Sequence, residues 1–469
     1  MIDNPQPSSP DFPRSLLDLG WQGVTPRRLW NALHSDGPGG VLLRGAAGAF
    51  LIRALGAAAA VGVQILLART LGAAEYGIYV YAVSWAVFLV MIPVLGFDTG
   101  LLRFVASYNA RQMWRALRGV LVRSHQITLA AGIAAAVLAA VALQILGPSL
   151  KPHLFQAGLL AVLLIPVLAL TTVSQASLRG FKRVVLSHLP EALVRPLGLA
   201  LLVGLFLVTR SGPMTAPVAL GFNVLAATAG LALCVGLLRR AVPMEARRAV
   251  PEFRTREWIS ISLPLLLTSS LYLLLGQIDT LMLGLLQGTR DVGIYNVAAR
   301  MSVFLLFGMQ AVNIIAAPMI SELHSTKSTS EMQRLLRRIA AWTVSVTTPM
   351  LLLTLGAGRW LLGLFGEQFE IAYFPLVLLC LGQFANALSG PCGFLLTMTG
   401  HERESLRILC LTLATNVALN VPAIHYLGIE GLAATTAVAF ALRNVLMWNK
   451  AFQLLGVDSS VLALLRRGT

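Results

Sequence analysis

The chain has 469 residues, of which 57% are hydrophobic and only 12% are charged, and its mean hydropathy is +0.76. A soluble protein carries about 25% charged residues, so this composition excludes a soluble globular protein and indicates a polytopic membrane protein. The net charge of +16 is spread over short loops between apolar segments, a placement that does not indicate a nucleic-acid partner.

The chain begins with a segment rich in Pro, Ser and Gly, residues 1–40, which is predicted to be a disordered cytoplasmic tail. Two six-helix lobes are predicted at 41–238 and 258–455, joined by a basic cytoplasmic linker at 239–257, and a second cytoplasmic tail at 456–469 ends the chain. Each lobe has six apolar stretches long enough to cross about 30 Å of hydrocarbon. The twelve stretches are 41–68, 77–98, 124–147, 156–178, 188–208, 216–238, 258–285, 293–320, 339–358, 371–396, 407–426 and 430–452. The predicted fold is therefore an all-α polytopic membrane protein with two pseudo-symmetric lobes.

The distribution of basic residues orients these predicted helices. With both termini cytoplasmic, 27 of the 36 Lys and Arg residues fall on cytoplasmic loops and tails, and five fall on outer loops. This alternation follows the positive-inside rule and supports the count of twelve spans. Because each lobe has an even number of helices, we expect the two lobes to share one orientation, related by an axis along the membrane normal.

A repeated sequence block supports the division into lobes. Eight residues between positions 72 and 89 recur 216 positions later, and they include the triplet Gly-Ile-Tyr at 77–79 and 293–295. Four residues between positions 113 and 118 recur after 219 positions. Two matching blocks at nearly the same offset predict an internal duplication, which is typical of transporters whose site lies between the halves.

Sequence motifs of enzymes are missing. The sequence has no Gly-rich loop ending in Lys-Ser or Lys-Thr, no His-Glu-x-x-His and no Asp-x-Asp pair. The four cysteines lie in or beside apolar segments without paired spacing, which predicts neither a disulfide nor a metal site. We therefore expect a chain that transports a molecule, with no catalytic residue and no cofactor.

Charged residues inside the predicted spans are the candidate functional groups, because each costs about 2.5–3.5 kcal/mol at a helix centre on insertion scales. Asp279 and Arg300 lie at similar depths in consecutive antiparallel helices. Their counterparts 216 positions earlier are the uncharged Val63 and Ser84. Two interpretations stay open: the two charges form a structural ion pair, or they line a cavity for substrate or a coupling ion.

Three further sites carry charge within the spans. Arg53 has no acidic residue in its own span, and it is predicted either to bind an anion in a cavity or to reach the interface as an anchor. Glu191 and Arg195 are four residues apart and predict a local ion pair. Arg443, seven residues before Lys450, is expected to reach the cytoplasmic surface or to line the cavity. Five neutral polar side chains are expected to form helix–helix hydrogen bonds or sugar contacts: Gln277, Gln310, Asn313, Asn416 and Asn420.

The repeated block also carries a family resemblance. The stretches LLARTLGAAEYGIY at 66–79 and GFD at 96–98, with DTLMLG at 279–284 and GIYNVA at 293–298, resemble bacterial polysaccharide-biosynthesis flippases. The resemblance covers residues 41–455 and implies two six-helix lobes that open alternately to each side of the bacterial inner membrane. It also implies a cargo of undecaprenyl-pyrophosphate-linked oligosaccharide, flipped to the outer leaflet for O-antigen, lipopolysaccharide or exopolysaccharide synthesis.

This resemblance gives the charged residues roles. Arg53, Arg300 and Arg443 would face the pyrophosphate of the carrier, and the implied partners are membrane lipid, glycosyltransferases, a polymerase and a chain-length regulator. One alternative is an ion-coupled multidrug or metabolite antiporter of the same superfamily, with Asp279 as the coupling carboxylate. A further alternative is a membrane scaffold that recruits glycosyltransferases through its basic cytoplasmic loops.

Overall fold

The computed structural model is built of helices. It describes residues 38–209, 212–306, 309, 316, 319–321, 323–325, 328–461 and 463, with side chains for all of these except 38–53, 149 and 268. Within these ranges no strand occurs, and the predicted all-α class is confirmed. The predicted N-terminal tail lies outside the described residues up to position 37, and helix begins at Pro38.

The first half of the described chain forms seven helices. In chain order they are α1 (Pro38–Val94), α2 (Phe97–Ala110), α3 (Trp114–Leu146), α4 (Pro152–Gly180), α5 (Val184–Thr209), α6 (Ala216–Ala241) and the short α7 (Met244–Arg248). A single turn of π-helix at Pro190–Val194, which we call the π-turn, interrupts the regular hydrogen bonding of α5. Apolar side chains dominate the long helices because both the membrane and the neighbouring helices are apolar surroundings.

The second half forms six helices over its continuously described parts. Its helices are α8 (Thr255–Leu286), α9 (Thr289–Val303), α10 (Thr329–Gly363), α11 (Tyr373–Ser389), α12 (Cys392–Met398) and α13 (Glu402–Leu455). A 3₁₀ turn at Glu367–Ala372 leads into α11. The predicted tenth span, 371–396, is too long, because Gly390 adopts φ 68° and Pro391 follows it, so that α11 ends at Ser389.

Nine helices in the described part of the chain are long and apolar enough to cross a membrane, judged by length and composition. Two of them are double, because α1 has non-helical backbone at Gly72 (φ 71°) and α13 has it at Gly428 (φ 60°). We call the parts before and after these glycines the first and second limbs. Each limb supplies one span, and α9 covers the start of the predicted eighth span, so the helices follow the order of the predicted spans.

The repeated block forms a contact between the two halves. Its copies lie on the second limb of α1 and on α9, which cross where Gly77 meets Gly293. A Cβ atom on Gly77 would lie 1.7 Å from the carbonyl oxygen of Thr289, and a Cβ atom on Gly293 would lie 2.6 Å from that of Ala73. Glycine at both positions therefore permits the close approach of the two backbones.

Polar contacts join the halves at the same end of the bundle, which we call the Gly72 end. The Nε atom of Arg69 donates a hydrogen bond to the carbonyl oxygen of Leu364 (2.6 Å). The backbone N–H of Ala73 donates to Oε1 of Gln368 (3.1 Å). In both bonds a first-half donor reaches a second-half acceptor, so the halves are held together at the Gly72 end.

At the opposite end, the linker end, residues 242–254 pack against the first half. The backbone N–H of Glu252 donates to the carbonyl oxygen of Arg115 (3.0 Å). Trp258, at the start of α8, is 1% exposed within a cluster of first-half side chains, and its Nε1 atom donates to Oη of Tyr108 (3.1 Å). The beginning of α8 therefore packs with the first half, although the sequence assigned it to the second lobe.

The residues after α13 are also part of the fold. Gln333 Nε2 donates to the carbonyl oxygen of Asp458 (2.8 Å), and the N–H of Asp458 donates to Gln333 Oε1 (2.7 Å). The N–H of Val461 donates to the carbonyl oxygen of Leu388 (2.9 Å). The predicted tail at 456–469 is thus packed against α10 and α11 over the residues described here.

Candidate functional site

Two cavities lie between the halves. The central cavity has a volume of about 540 Å³ and is lined by α1, α5 and α6 of the first half and by α8, α9, α11 and α13 of the second. The linker-side cavity has a volume of about 480 Å³ and is lined by α1, α2, α4, α5 and α8. Val87, Glu191 and Arg195 line both cavities and mark their junction.

Arg195 follows the π-turn of α5, an irregularity that is frequent at functional sites. Its Nε atom donates to Oδ1 of Asn223 (3.0 Å), and its Nη1 atom lies 4.0 Å from Oε1 of Glu191. The predicted i,i+4 pair is therefore present, but that separation is too long for a direct hydrogen bond. Among the described residues the guanidinium uses one of its five N–H donors, so its Nη groups can bind a ligand.

Arg300 on α9 is held in the same way. Its Nε atom donates to Oδ1 of Asn296 (2.9 Å), one turn earlier, and its exposed side chain lines the central cavity. Arg195 and Arg300 both line the central cavity. Two guanidinium groups, one from each half, therefore serve one cavity, and an Asn side chain fixes each through its Nε atom.

Asp279 on α8 is bonded to neutral groups. Its Oδ2 atom accepts hydrogen bonds from Tyr295 Oη (3.2 Å) and Thr436 Oγ1 (2.8 Å), and its Oδ1 atom accepts one from Asn420 Nδ2 (2.9 Å). Within the described chain no ion pair joins Asp279 to Arg300, although both line the central cavity. The structural ion pair is thus not formed in this conformation, because neutral donors occupy the carboxylate.

Two polar clusters, one around Arg195 and one around Asp279, each contain a tyrosine of the sequence repeat. Tyr79 Oη accepts a hydrogen bond from Asn223 Nδ2 (3.0 Å) on α6, and Tyr295 Oη lies 3.3 Å from Thr436 Oγ1 on the second limb of α13. In each half the tyrosine of the second span thus meets a polar residue of the sixth. The first-half cluster also contains Arg195, and the second-half cluster also contains Asp279. The same pairing of a tyrosine with a polar residue therefore stands beside a positive charge in one half and a negative charge in the other.

Arg443 and Arg53 were also predicted to face the pyrophosphate, and the structure describes the side chain of the first of them. The Cζ atom of Arg443 lies 5.2 Å from the ring centroid of Phe440, a cation–π contact, and Phe440 lines the central cavity. Arg443 is half-buried, and it is not among the described residues that line this cavity. Arg53 belongs to the first limb of α1, but its side chain lies outside the described residues, so its proposed role stays a prediction.

The neutral polar candidates that the structure describes lie either at the central cavity or in the cluster around the Asp279 carboxylate. Gln277 lines the central cavity. Asn420 Nδ2 also donates to Asn416 Oδ1 (3.1 Å), so both residues support the carboxylate cluster. Gln310 and Asn313 lie outside the described residues.

Sequence reasoning missed several polar residues of these clusters. Asn223 and Thr436 carry no charge, and nothing in the local sequence separates them from residues that form helix–helix contacts. Tyr79 and Tyr295 are positions of the sequence repeat, but neither is charged and neither was among the predicted site residues. The useful signal was that a tyrosine, a residue with a polar hydroxyl, is kept at the same position of both halves.

Comparison with known protein families gives consistent matches. Residues 42–324 match the family model described as polysaccharide biosynthesis protein, and residues 264–421 match the MatE model. The probable flippase AglR of Haloferax volcanii is 27% identical over 172 residues, and a probable low-salt glycan biosynthesis flippase of the same organism is 24% identical over 169. Each match spans 36% of this chain and 36% of the relative, about a third of its length.

Solved structures share the fold over nearly the whole chain. An inward-facing multidrug resistance MATE family transporter of the MOP superfamily has a TM-score of 0.69 at 13% identity, over 89% of this chain and 96% of that one. An outward-facing structure of such a transporter has a TM-score of 0.64 at 12% identity, over 91% and 97%. At this level of identity, the likeness shows the fold of these transporters.

Proposed function

This chain belongs to the polysaccharide biosynthesis protein family, and on that premise we propose that it flips undecaprenyl-pyrophosphate-linked oligosaccharides. The movement would run from the cytoplasmic to the outer leaflet of a bacterial inner membrane, for O-antigen, lipopolysaccharide or exopolysaccharide synthesis. Family and fold make the chain a multi-pass membrane transporter of the MOP type. The kind of glycan and the partner enzymes named above are part of the proposal.

One observation supports this cargo above all: two arginines from opposite halves serve one cavity. A pyrophosphate cannot cross hydrocarbon unaided, because the loss of its hydration is too costly. Arg195 and Arg300 each keep their Nη groups available, and these groups can bind phosphate oxygens through two parallel hydrogen bonds. Phosphate held between the halves would leave the polyprenyl chain in the lipid.

The positions of the basic residues support an orientation with the linker end in the cytoplasm. The Gly72 end would then face outward, and the contacts that join the halves there correspond to an inward-facing state. Transport would require these contacts to separate while the linker end closes, as one half rocks against the other.

Asp279 supports a second candidate, ion-coupled antiport. A cavity-lining carboxylate whose described partners are all neutral can take up a proton or a monovalent cation without breaking an ion pair. The same group could couple carrier flipping to an ion gradient, so the two functions differ in cargo. The absence of drug–ion exchange in vesicles would favour the flippase.

The decisive experiment uses the full-length protein in proteoliposomes. Flipping of a polyprenyl-pyrophosphate-linked sugar is measured for the wild type, for Arg195→Ala and Arg300→Ala, and for the control Arg403→Ala, an exposed residue in the first turn of α13. We expect each cavity variant to lower the rate by about tenfold or more, since a charge-assisted hydrogen bond contributes about 1.5–3 kcal/mol. A wild type that exchanges drugs for ions and leaves the carrier unmoved would contradict the proposal.

A further inference from the structure

We propose that Glu191 and Gln175 bind the hydroxyl groups of the first sugar, the one attached directly to the pyrophosphate, and thereby select which sugar is accepted. This inference rests on the proposed function and adds a second subsite to it. The arginines of the central cavity would hold the phosphates. Glu191 and Gln175, in the linker-side cavity, would hold the sugar.

Glu191 lies beside Arg195, the arginine proposed to bind the phosphate. Glu191 Oε1 lies 4.0 Å from Arg195 Nη1, and both residues line both cavities. A phosphate oxygen bound to a guanidinium lies about 2.7–2.9 Å from its nitrogen. The group bonded to that phosphate is therefore brought next to the Glu191 carboxylate, at the entrance of the linker-side cavity.

The Glu191 carboxylate is available to a ligand. Its side chain is 57% exposed, and its contact with Arg195 is too long for a hydrogen bond. A carboxylate accepts up to about four hydrogen bonds. Among the described residues it accepts one, from Gln175 Nε2 to Oε2 (3.3 Å). Sugar hydroxyls are donors, and hydrogen bonds from O–H to a carboxylate are among the stronger ones in proteins.

Gln175 holds this carboxylate in place. Gln175 is 7% exposed on α4, and it lines the linker-side cavity. Thr171 and Thr172, which also line this cavity, donate their hydroxyls to backbone carbonyls one turn back, at 2.8 and 2.9 Å, so their oxygens can only accept further hydrogen bonds. Glu191 and these two threonines therefore offer acceptors, which suits a sugar whose free hydroxyls are donors.

The same charge predicts the class of sugar. A neutral hexose would donate hydroxyls to Glu191, whereas a hexuronic acid would bring a second carboxylate toward it, and like charges repel strongly at short range. We therefore expect a neutral first sugar. A Glu191→Gln variant keeps an acceptor oxygen at nearly the same volume and removes the charge, so it should lower this discrimination.

Binding of three carriers to the purified full-length protein tests the inference. They are polyprenyl pyrophosphate without sugar, with a hexose and with a hexuronic acid. We expect Glu191→Ala to weaken hexose-carrier binding by about tenfold. It should not weaken bare-pyrophosphate binding, because the carboxylate that it removes repels the phosphates. Gln175→Ala should act in the same direction. Arg195→Ala should weaken the binding of all three carriers. The matched control Glu402→Ala, which removes an exposed carboxylate in the first turn of α13, should leave the binding of all three unchanged.

The outcomes separate this proposal from the proposed function. If Glu191→Ala weakens the bare carrier as much as the hexose carrier, Glu191 merely positions Arg195 and the inference is wrong. If Glu191→Gln leaves the preference for hexose over hexuronic acid unchanged, the charge does not select the sugar, which also contradicts it. If the wild type binds none of the three carriers, the proposed function itself fails. Equal thermal unfolding midpoints for wild type and variants verify that each protein is folded.

Discussion

Replacing Gly77 by alanine should shift the protein away from the state described here. The Cβ atom of the new side chain would lie 1.7 Å from the carbonyl oxygen of Thr289, whereas close contacts between carbon and oxygen lie at about 3.3 Å or more. The obstructing atom belongs to the backbone of the other half, so no side-chain rotation can relieve the overlap. The two helices must separate at the Gly72 end.

The expected magnitude follows from the cost of overpacking, about 1–3 kcal/mol. If this cost falls on the state that is closed at the Gly72 end and not on the opposite state, the equilibrium between them changes by about 5–150-fold. Gly293→Ala should have a smaller effect, because its Cβ atom would lie 2.6 Å from the carbonyl oxygen of Ala73. The two variants thus form a graded pair.

Distances between spin labels at the Gly72 end measure this shift. Labels at Lys151→Cys and Arg359→Cys, two exposed sites on opposite halves, are introduced after the exposed Cys410 is replaced by serine. We expect the Gly77→Ala distribution to move to longer distances. The control is Gly236→Ala, where a Cβ atom meets nothing within 4 Å. A Gly77→Ala distribution identical to that of the wild type would refute the reasoning.

Four further predictions concern the site and the fold. Arg195→Lys keeps the charge but loses the planar fork of the guanidinium group. The rate of carrier flipping should therefore fall by about tenfold, a smaller fall than in Arg195→Ala, and a rate equal to that of the wild type would exclude bidentate binding. Asp279→Asn should abolish any dependence of flipping on an ion gradient while carrier binding stays within about twofold, and persistent gradient dependence would rule out coupling at this residue. Arg53→Ala at equal expression should lower surface-glycan export, and normal export would contradict its assignment to the cavity. Trp258→Ala should lower the free energy of unfolding by about 3–5 kcal/mol in thermal unfolding, and a change below about 1 kcal/mol would show that its burial is not stabilising.

The helices were predictable because apolar runs of membrane length leave a strong signal in sequence. Two of their breaks were also predicted, because Gly72 lies between the predicted spans 41–68 and 77–98, and Gly428 lies between 407–426 and 430–452. The break at Gly390 was missed, because the apolar run 371–396 continues through it. The docking of Trp258 onto the first half was not predictable, because the apolar run that starts α8 reads the same whichever half it contacts.

The candidate site was predictable in its charges and not in its contacts. Sequence gives the depth of a residue along its helix, but whether two helices present their charges to each other depends on rotation and packing. Asp279 therefore meets Asn420 and Thr436, which lie 141 and 157 positions away, and not the nearby Arg300. Arg195 looked like half of a local ion pair, and the π-turn that gives it access to both cavities left no clear trace in the sequence.

Gly77 and Gly293 are one position of the repeat meeting its own copy, which is how residues on the two-fold axis of an isologous dimer meet. In a homodimer every substitution appears twice, so a charge placed beside such an axis faces an identical charge. Fusion of the two copies into one polypeptide removes that constraint, because each half can then acquire substitutions alone. An arginine cluster in one half and a carboxylate cluster in the other are an asymmetry that no ancestor made of two identical subunits could have carried.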